Sequence, residues 1–161
     1  MDETTEAAVP RTVLWVDHDA TPIMIVEILH RVAKRRELGV TFVANRWREH
    51  PKSPFIRHIV VGGDADAADD YIVEHCEAGQ LVITADIPLA ARAVEKGAQV
   101  IDHRGKTRTA EDVREALSLR DFHQELRDSG IETGGPRAYN ASDRQAFANA
   151  LDRWLARNIR A

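Results

Sequence analysis

Val13-Leu14-Trp15-Val16-Asp17-His18-Asp19-Ala20-Thr21-Pro22 is the stretch from which the fold is read. Four consecutive apolar residues followed by polar turn chemistry predict a strand buried on both faces. Thr21 before Pro22 predicts the start of a helix: a hydroxyl to cap the first turn, then a proline where no amide donor is needed. The product is a strand-turn-helix unit with Asp17 and Asp19 at the strand's carboxyl end. In open α/β sheets that edge is where ligands bind.

The rest of the chain repeats the unit. Ile23, Met24, Val26, Ile28, Leu29, Val32 and Ala33 give a helix with a broad apolar surface, and Lys34-Arg35-Arg36 places cations at its end before Gly39 breaks it. Val40 to Ala44 reads as a second strand ending at Asn45, and a polar loop runs on through Pro54. Ile56 to Val61 is a third strand, closed by Gly62-Gly63, followed by a helix from about Ala67 to Glu77 that turns Ile72, Val73 and Cys76 inward and carries Asp69 and Asp70 in its first turn. Leu81 to Thr84 is a fourth strand, and Asp86-Ile87-Pro88 opens a helix through about Lys96. Gln99 to Ile101 is a fifth, and Asp102 to Thr109 reads as a polar turn. This alternation predicts a three-layer α/β domain around a mostly parallel sheet of about five strands. From Thr109 a helix through Leu126 has Val113, Leu117, Phe122 and Leu126 as its apolar face, and a last one, Ser142 to about Arg157, buries Phe147, Leu151, Trp154 and Leu155. The expected organisation is a flexible tail over 1–10 and one domain over 11–161, with a core over 11–108 and a carboxyl-terminal helical extension over 109–161.

Composition sets outer limits on function. With 43% hydrophobic and 30% charged residues in 161, the chain has the balance of a soluble domain, and no apolar run reaches the roughly 18 residues of a membrane span. Met1 to Pro10 lacks the basic region and apolar core of a secretory signal, so the expected location is cytoplasmic. A single cysteine, Cys76, excludes an internal disulfide and a multi-cysteine zinc site, leaving a buried thiol. The net charge of −4 is split: 11 basic and 17 acidic residues through His103, 11 basic and 9 acidic after it. An acidic site beside an arginine-rich flank fits that division, while a dedicated nucleic-acid binder carries a stronger basic patch.

Singly, the aspartates have structural explanations: Asp19 as a turn residue, Asp86 as the cap of the helix at Ile87, Asp69 as the third-position partner of an Asp66 cap. Together they point elsewhere. If strands one and four are neighbours, Asp17, Asp19 and Asp86 converge on one crevice that Asp69 reaches from the adjoining helix. Four carboxylates in one site repel one another, and a divalent cation relieves the repulsion. All-oxygen ligation with room for water suits Mg2+ or Mn2+, and the chemistry such an ion supports is hydrolysis of a phosphodiester. Arg57, Arg92, Arg104, Lys106 and Arg120 are candidate phosphate contacts, Trp47 between Arg46 and Arg48 a candidate base-stacking residue, and His18 a candidate metal ligand or general base.

Two families share the opening motif. Asp17-His18-Asp19-Ala20-Thr21 resembles the first motif of haloacid-dehalogenase-like phosphatases, in which the first aspartate is the nucleophile and the second a general acid, with Thr84 as a second motif. That family then needs a lysine and an acidic pair after the threonine, whereas Asp69-Asp70 precedes it. A wider match covers the chain from first strand to last helix. Trp15-Val16-Asp17 with Asp19 and Pro22, Val43-Ala44-Asn45, Ser53-Pro54, Asp66 with Ala68-Asp69, Cys76-Glu77-Ala78-Gly79, Leu81 through Ala90, Arg104-Gly105, Arg120-Asp121-Phe122 and Thr133-Gly134-Gly135-Pro136 closely resemble the uncharacterised bacterial YaiI/YqxD family, placed among PIN-like domains. His18 and Thr21 stand where that family usually has alanine and cysteine, and Asp70 where asparagine is common.

PIN-like domains are typically nucleases that use acidic side chains with Mg2+ or Mn2+. The resemblance implies that Asp17, Asp69 and Asp86, the last within Thr84-Ala85-Asp86, are catalytic and metal-binding, with Asp19 as a fourth carboxylate. Asn45, Ser53, Arg57, Thr84, Arg104 and Arg120 form the expected substrate-binding set, and RNA or single-stranded nucleic acid is the partner the resemblance implies. A non-catalytic RNA- or protein-binding module on the same fold is the competing expectation. Oligomeric state is open.

Overall fold

Side chains leaving the first strand, β1 (Thr12–Asp17), divide the molecule into its layers. Leu14 and Val16 point to one face of the sheet and Trp15 to the other, each into a separate apolar cluster. The computed structural model describes residues 10–64, 66–132, 134 and 137–159; the flexible-tail expectation for 1–10 falls almost wholly outside them.

A single 3-10 turn (His18–Ala20) links β1 to α1 (Ile23–Arg36); then follow β2 (Gly39–Ala44), β3 (Ile56–Val60), α2 (Ala67–His75), β4 (Leu81–Ile83), α3 (Ile87–Glu95), β5 (Gln99–Ile101), β6 (Thr107–Arg108), α4 (Ala110–Asp128) and α5 (Ala141–Asn158). The sheet order is β3-β2-β1-β4-β5-β6. Pairing is parallel from β3 to β5 and antiparallel between β5 and β6. Strands one and four are therefore neighbours, and the chain reverses direction of travel across the sheet beside β1, the place where doubly wound sheets open a crevice.

α1 and α5 cover one face, where Ile25, Leu29, Phe147, Leu151 and Leu155 pack on Leu14, Val16 and Phe42. On the other, α2, α3 and the start of α4 bring Ile72, Leu89, Ala93 and Val113 onto Trp15, Val43, Val82 and Val100. Helix α5 is thus a wall of the core: Phe147, Leu151, Trp154 and Leu155 are all buried as expected.

Several local expectations are corrected. A sixth strand forms within the stretch read as a polar turn, because Thr107 and Arg108 pair with Ile101 and Val100. Gly105 makes that reversal possible: its φ is +87°, and a Cβ there would lie 2.5 Å from the Ala146 carbonyl oxygen of α5. Thr21 does not cap α1; its hydroxyl donates back to the Asp17 carbonyl, and Pro22 takes the cap position. Glu37, in the left-handed conformation, ends α1 ahead of Gly39. Helix α4 does start from Thr109, whose hydroxyl accepts from the Asp112 amide, but of its expected apolar face only Val113 is buried and Phe122 is 54% exposed. The apolar spacing is helical, yet beyond its first turns the helix has too little packed against it.

Candidate functional site

Asp17 ends β1 on the same face as Trp15, so its carboxylate is directed over the carboxyl edge towards α2 and α3. It is 7% exposed, and among the described residues nothing donates a hydrogen bond to it. Burial, and then the charges of Asp69, Asp86 and Asp19 in that order, push its pKa up to about 7. Asp69, in the first turn of α2, is pushed up to about 6 by burial and by Asp86 and Asp66, against the pull of Arg92. Two carboxyl groups without donors among the described residues, each close to other carboxylates, are thus held well above the usual carboxylate range.

Asp86 enters from the third side. Its carboxylate caps α3 by accepting from the Leu89 amide at 2.9 Å, while its own amide donates to the Thr84 hydroxyl at 3.0 Å. Thr84 is buried at the end of β4 beside β1, which fixes how Asp86 leaves the sheet. Capping and convergence on Asp17 are both present at this residue. Asp66 makes no side-chain cap for α2, so Asp69 has no capping box to belong to.

Asp19 is near enough for its charge to act on Asp17, but unlike Asp17 and Asp69 it has donors of its own. It accepts from the Asn45 amide at 2.6 Å and from Arg48 at 2.8 Å. Burial would raise its pKa, but the amide and the guanidinium outweigh that and hold it below the usual carboxylate range. Asn45 spends its side-chain amide on the Asp64 carbonyl. Among the described residues no three histidine, cysteine, aspartate or glutamate side chains form a group ready to hold a metal ion. The donor set is still all-oxygen, and Asp17 and Asp69 are unpartnered; this suits a cation that keeps most of its waters and is held by one or two carboxylates, as Mg2+ commonly is.

The remaining sequence-selected residues scatter. Ser53 accepts from the Phe55 amide within the β2–β3 loop. Arg57 donates to the Pro10 carbonyl and the Thr12 hydroxyl, at the amino end of β1 and so the far edge of the sheet. Arg104 follows β5 at the carboxyl edge but donates to Asp143 and the Arg137 carbonyl, tying the β5–β6 turn to the start of α5. Arg120 lies on the exposed side of α4, along a surface cleft shared with Lys106 and His123. Gly134 is exposed, and Gly135 and Pro136 lie outside the described residues.

His18 turns to the opposite face from Asp17, its ring 5.0 Å from Phe42 and 5.7 Å from His58. Burial, aided by Arg48, lowers its pKa to about 4, so it is a neutral imidazole directed away from the trio. Sequence reasoning missed Arg48, which orders Asp19, and His103, which is 7% exposed and 3.4 Å from the Thr21 hydroxyl. Their signal is purely tertiary, since neither stands in a motif.

A family profile described as "Uncharacterized BCR, YaiI/YqxD family" matches residues 15–157. The UPF0178 protein of Saccharophagus degradans is 54% identical over 147 residues, covering 91% of this chain and 97% of that one. The UPF0178 protein of Shewanella sp. (strain MR-4) is 53% identical over 144 residues, covering 89% and 96%, and that of Syntrophotalea carbinolica 52% identical over 146 residues, covering 91% and 99%. No solved structure matches the chain significantly.

Proposed function

We propose that this chain, which belongs to the uncharacterised bacterial YaiI/YqxD family, is a divalent-metal-dependent nuclease that hydrolyses phosphodiester bonds in RNA. The observation that carries the reading is Asp17: a carboxylate without a hydrogen-bond donor among the described residues, raised towards neutrality by its burial first and then by Asp69 and Asp86 beside it. A fold keeps such a costly arrangement when a ligand of positive charge completes it.

In this reading Asp17, Asp69 and Asp86 hold Mg2+ or Mn2+, Asp86 while it also caps α3. The ion, when bound, neutralises a substrate phosphate and lowers the pKa of a water. Thr84 positions Asp86 through its amide, and the Asn45–Asp19–Arg48 contacts hold the turn after β1 in place. Ionised and held by Arg48, Asp19 is poorly suited to give up a proton, which weighs against a phosphatase mechanism that needs it as an acid. A second reading, binding of RNA without cleavage, draws support from the lack of a ready three-ligand metal group among the described residues.

The test is incubation of end-labelled single-stranded RNA with purified protein and Mn2+, against Asp17→Asn. Cleavage that disappears in the variant supports the nuclease. Retention of RNA by the protein with no cleavage under any divalent ion supports the binding module.

A further inference from the structure

On the opposite face of the sheet from the acidic trio, α1 and the β2–β3 loop enclose a cleft of about 630 Å3, within the size range of small-ligand sites. Three imidazoles, His18, His30 and His50, line it, and a column of rings stands behind the last. Phe42, His58 and His50 form a near-parallel column that steps outward from the core: Phe42 and His58 are 5.1 Å apart at 7°, His58 and His50 3.4 Å apart at 11°. His50 lines the cleft at the end of this column, with His18 and His30 beside it and Trp47, 68% exposed, 6.3 Å from the His50 ring.

The rim is cationic. Arg31, Lys34, Arg48 and Lys52 line the cleft against two acids, Glu27 and Glu49. Arg48 is engaged by Asp19, but among the described residues no carboxylate pairs with Arg31, Lys34 or Lys52. His58 Nε2 is buried without a hydrogen-bond partner among the described residues, so the column has a polar atom left to satisfy.

We propose that this cleft binds a nucleotide, with the base stacked on His50 and the phosphate held by Lys34 and its cationic neighbours. A planar face next to cations that no described carboxylate pairs is the chemistry of a base carrying a phosphate, whether free or within a single strand. Neither a purely apolar ligand nor a bare anion uses both parts of the wall. The proposal does not need the acidic trio to be catalytic, although Arg48, which lines the cleft and binds Asp19, links the two places over the edge of the sheet.

The test is calorimetric titration in EDTA, where no divalent ion is available to the aspartates. AMP, a short single-stranded adenylate oligomer and inorganic pyrophosphate are titrated separately. Saturable binding of AMP or the oligomer is expected, weakened about tenfold by His50→Ala, kept by His50→Phe, and weakened by Lys34→Glu. Equal affinity for AMP and oligomer assigns a free nucleotide; tighter binding of the oligomer assigns a strand. Absence of binding by both, binding unchanged in a folded His50→Ala protein, or pyrophosphate binding as tightly as AMP would overturn the proposal.

Discussion

Asp17 and His18 are neighbours in sequence and face opposite sides of the sheet: the carboxylate meets Asp69 and Asp86, and the imidazole meets Phe42 and His58. The alternation of a strand continues for one residue beyond β1, and it places a carboxylate pocket and a ring-lined cleft on the two sides of one edge.

Asp17→Asn stabilises the metal-free protein at neutral and higher pH. The carboxyl holds its proton better folded, at about 7, than unfolded, near 3.8. Stability contributed by that proton is therefore present at low pH and lost as pH rises through 7. Thermal melts at pH 8 in EDTA are expected to show the variant more stable by roughly 1–3 kcal/mol, with the difference shrinking towards pH 4.

His58 titrates far below an ordinary histidine, at about 3, because burial and then the neighbouring His50, His18 and His30 disfavour its cation. The unfolded chain takes up that proton near pH 6.5, so this group lowers stability as pH falls below 6.5. Its sign is opposite to that of Asp17. Ring-proton chemical shifts are expected to show His58 neutral at pH 5, and in Asp17→Asn the melting temperature is expected to fall more steeply on acidification than in the parent.

Gly105→Ala is strongly destabilising. It places a Cβ at φ +87° and 2.5 Å from a carbonyl oxygen of α5, so either the turn or the helix must shift. A loss of about 2–4 kcal/mol is expected by denaturant unfolding, from backbone strain and overpacking together.

Asp143 is 3% exposed and answers Arg104, Arg137 and the Asn140 amide at once, with Arg137 chiefly holding its pKa down to about 2. Asp143→Ala is expected to lower the melting temperature by several degrees and loosen the β5–β6 turn. Asp143→Asn keeps the contact to the Asn140 amide and is expected to lose less.

The mostly parallel sheet and the buried face of α5 were legible because apolar runs and glycine breaks repeat along the chain. Convergence of Asp17, Asp69 and Asp86 was legible once β1 and β4 were taken as neighbours. Asp19 was not, since its partner Arg48 lies in an irregular loop whose path no periodicity encodes. The role of Arg57 at the far edge follows from strand register, and the ring column depends on Phe42, His50 and His58 coming from three separate segments. Strand β6 pairs through only two residues, too few to leave a pattern.

The central claim is that the trio holds a divalent cation, and calorimetric titration of Mn2+ into the metal-free protein, with Asp86→Asn in parallel, tests it most directly. Asparagine still caps α3, so the variant removes charge from the pocket and leaves the helix start in place. Saturable binding in the parent that is lost or weakened about tenfold or more in the variant is the predicted result. No binding in the parent, or equal binding in both, would contradict the claim and leave Asp86 a helix cap.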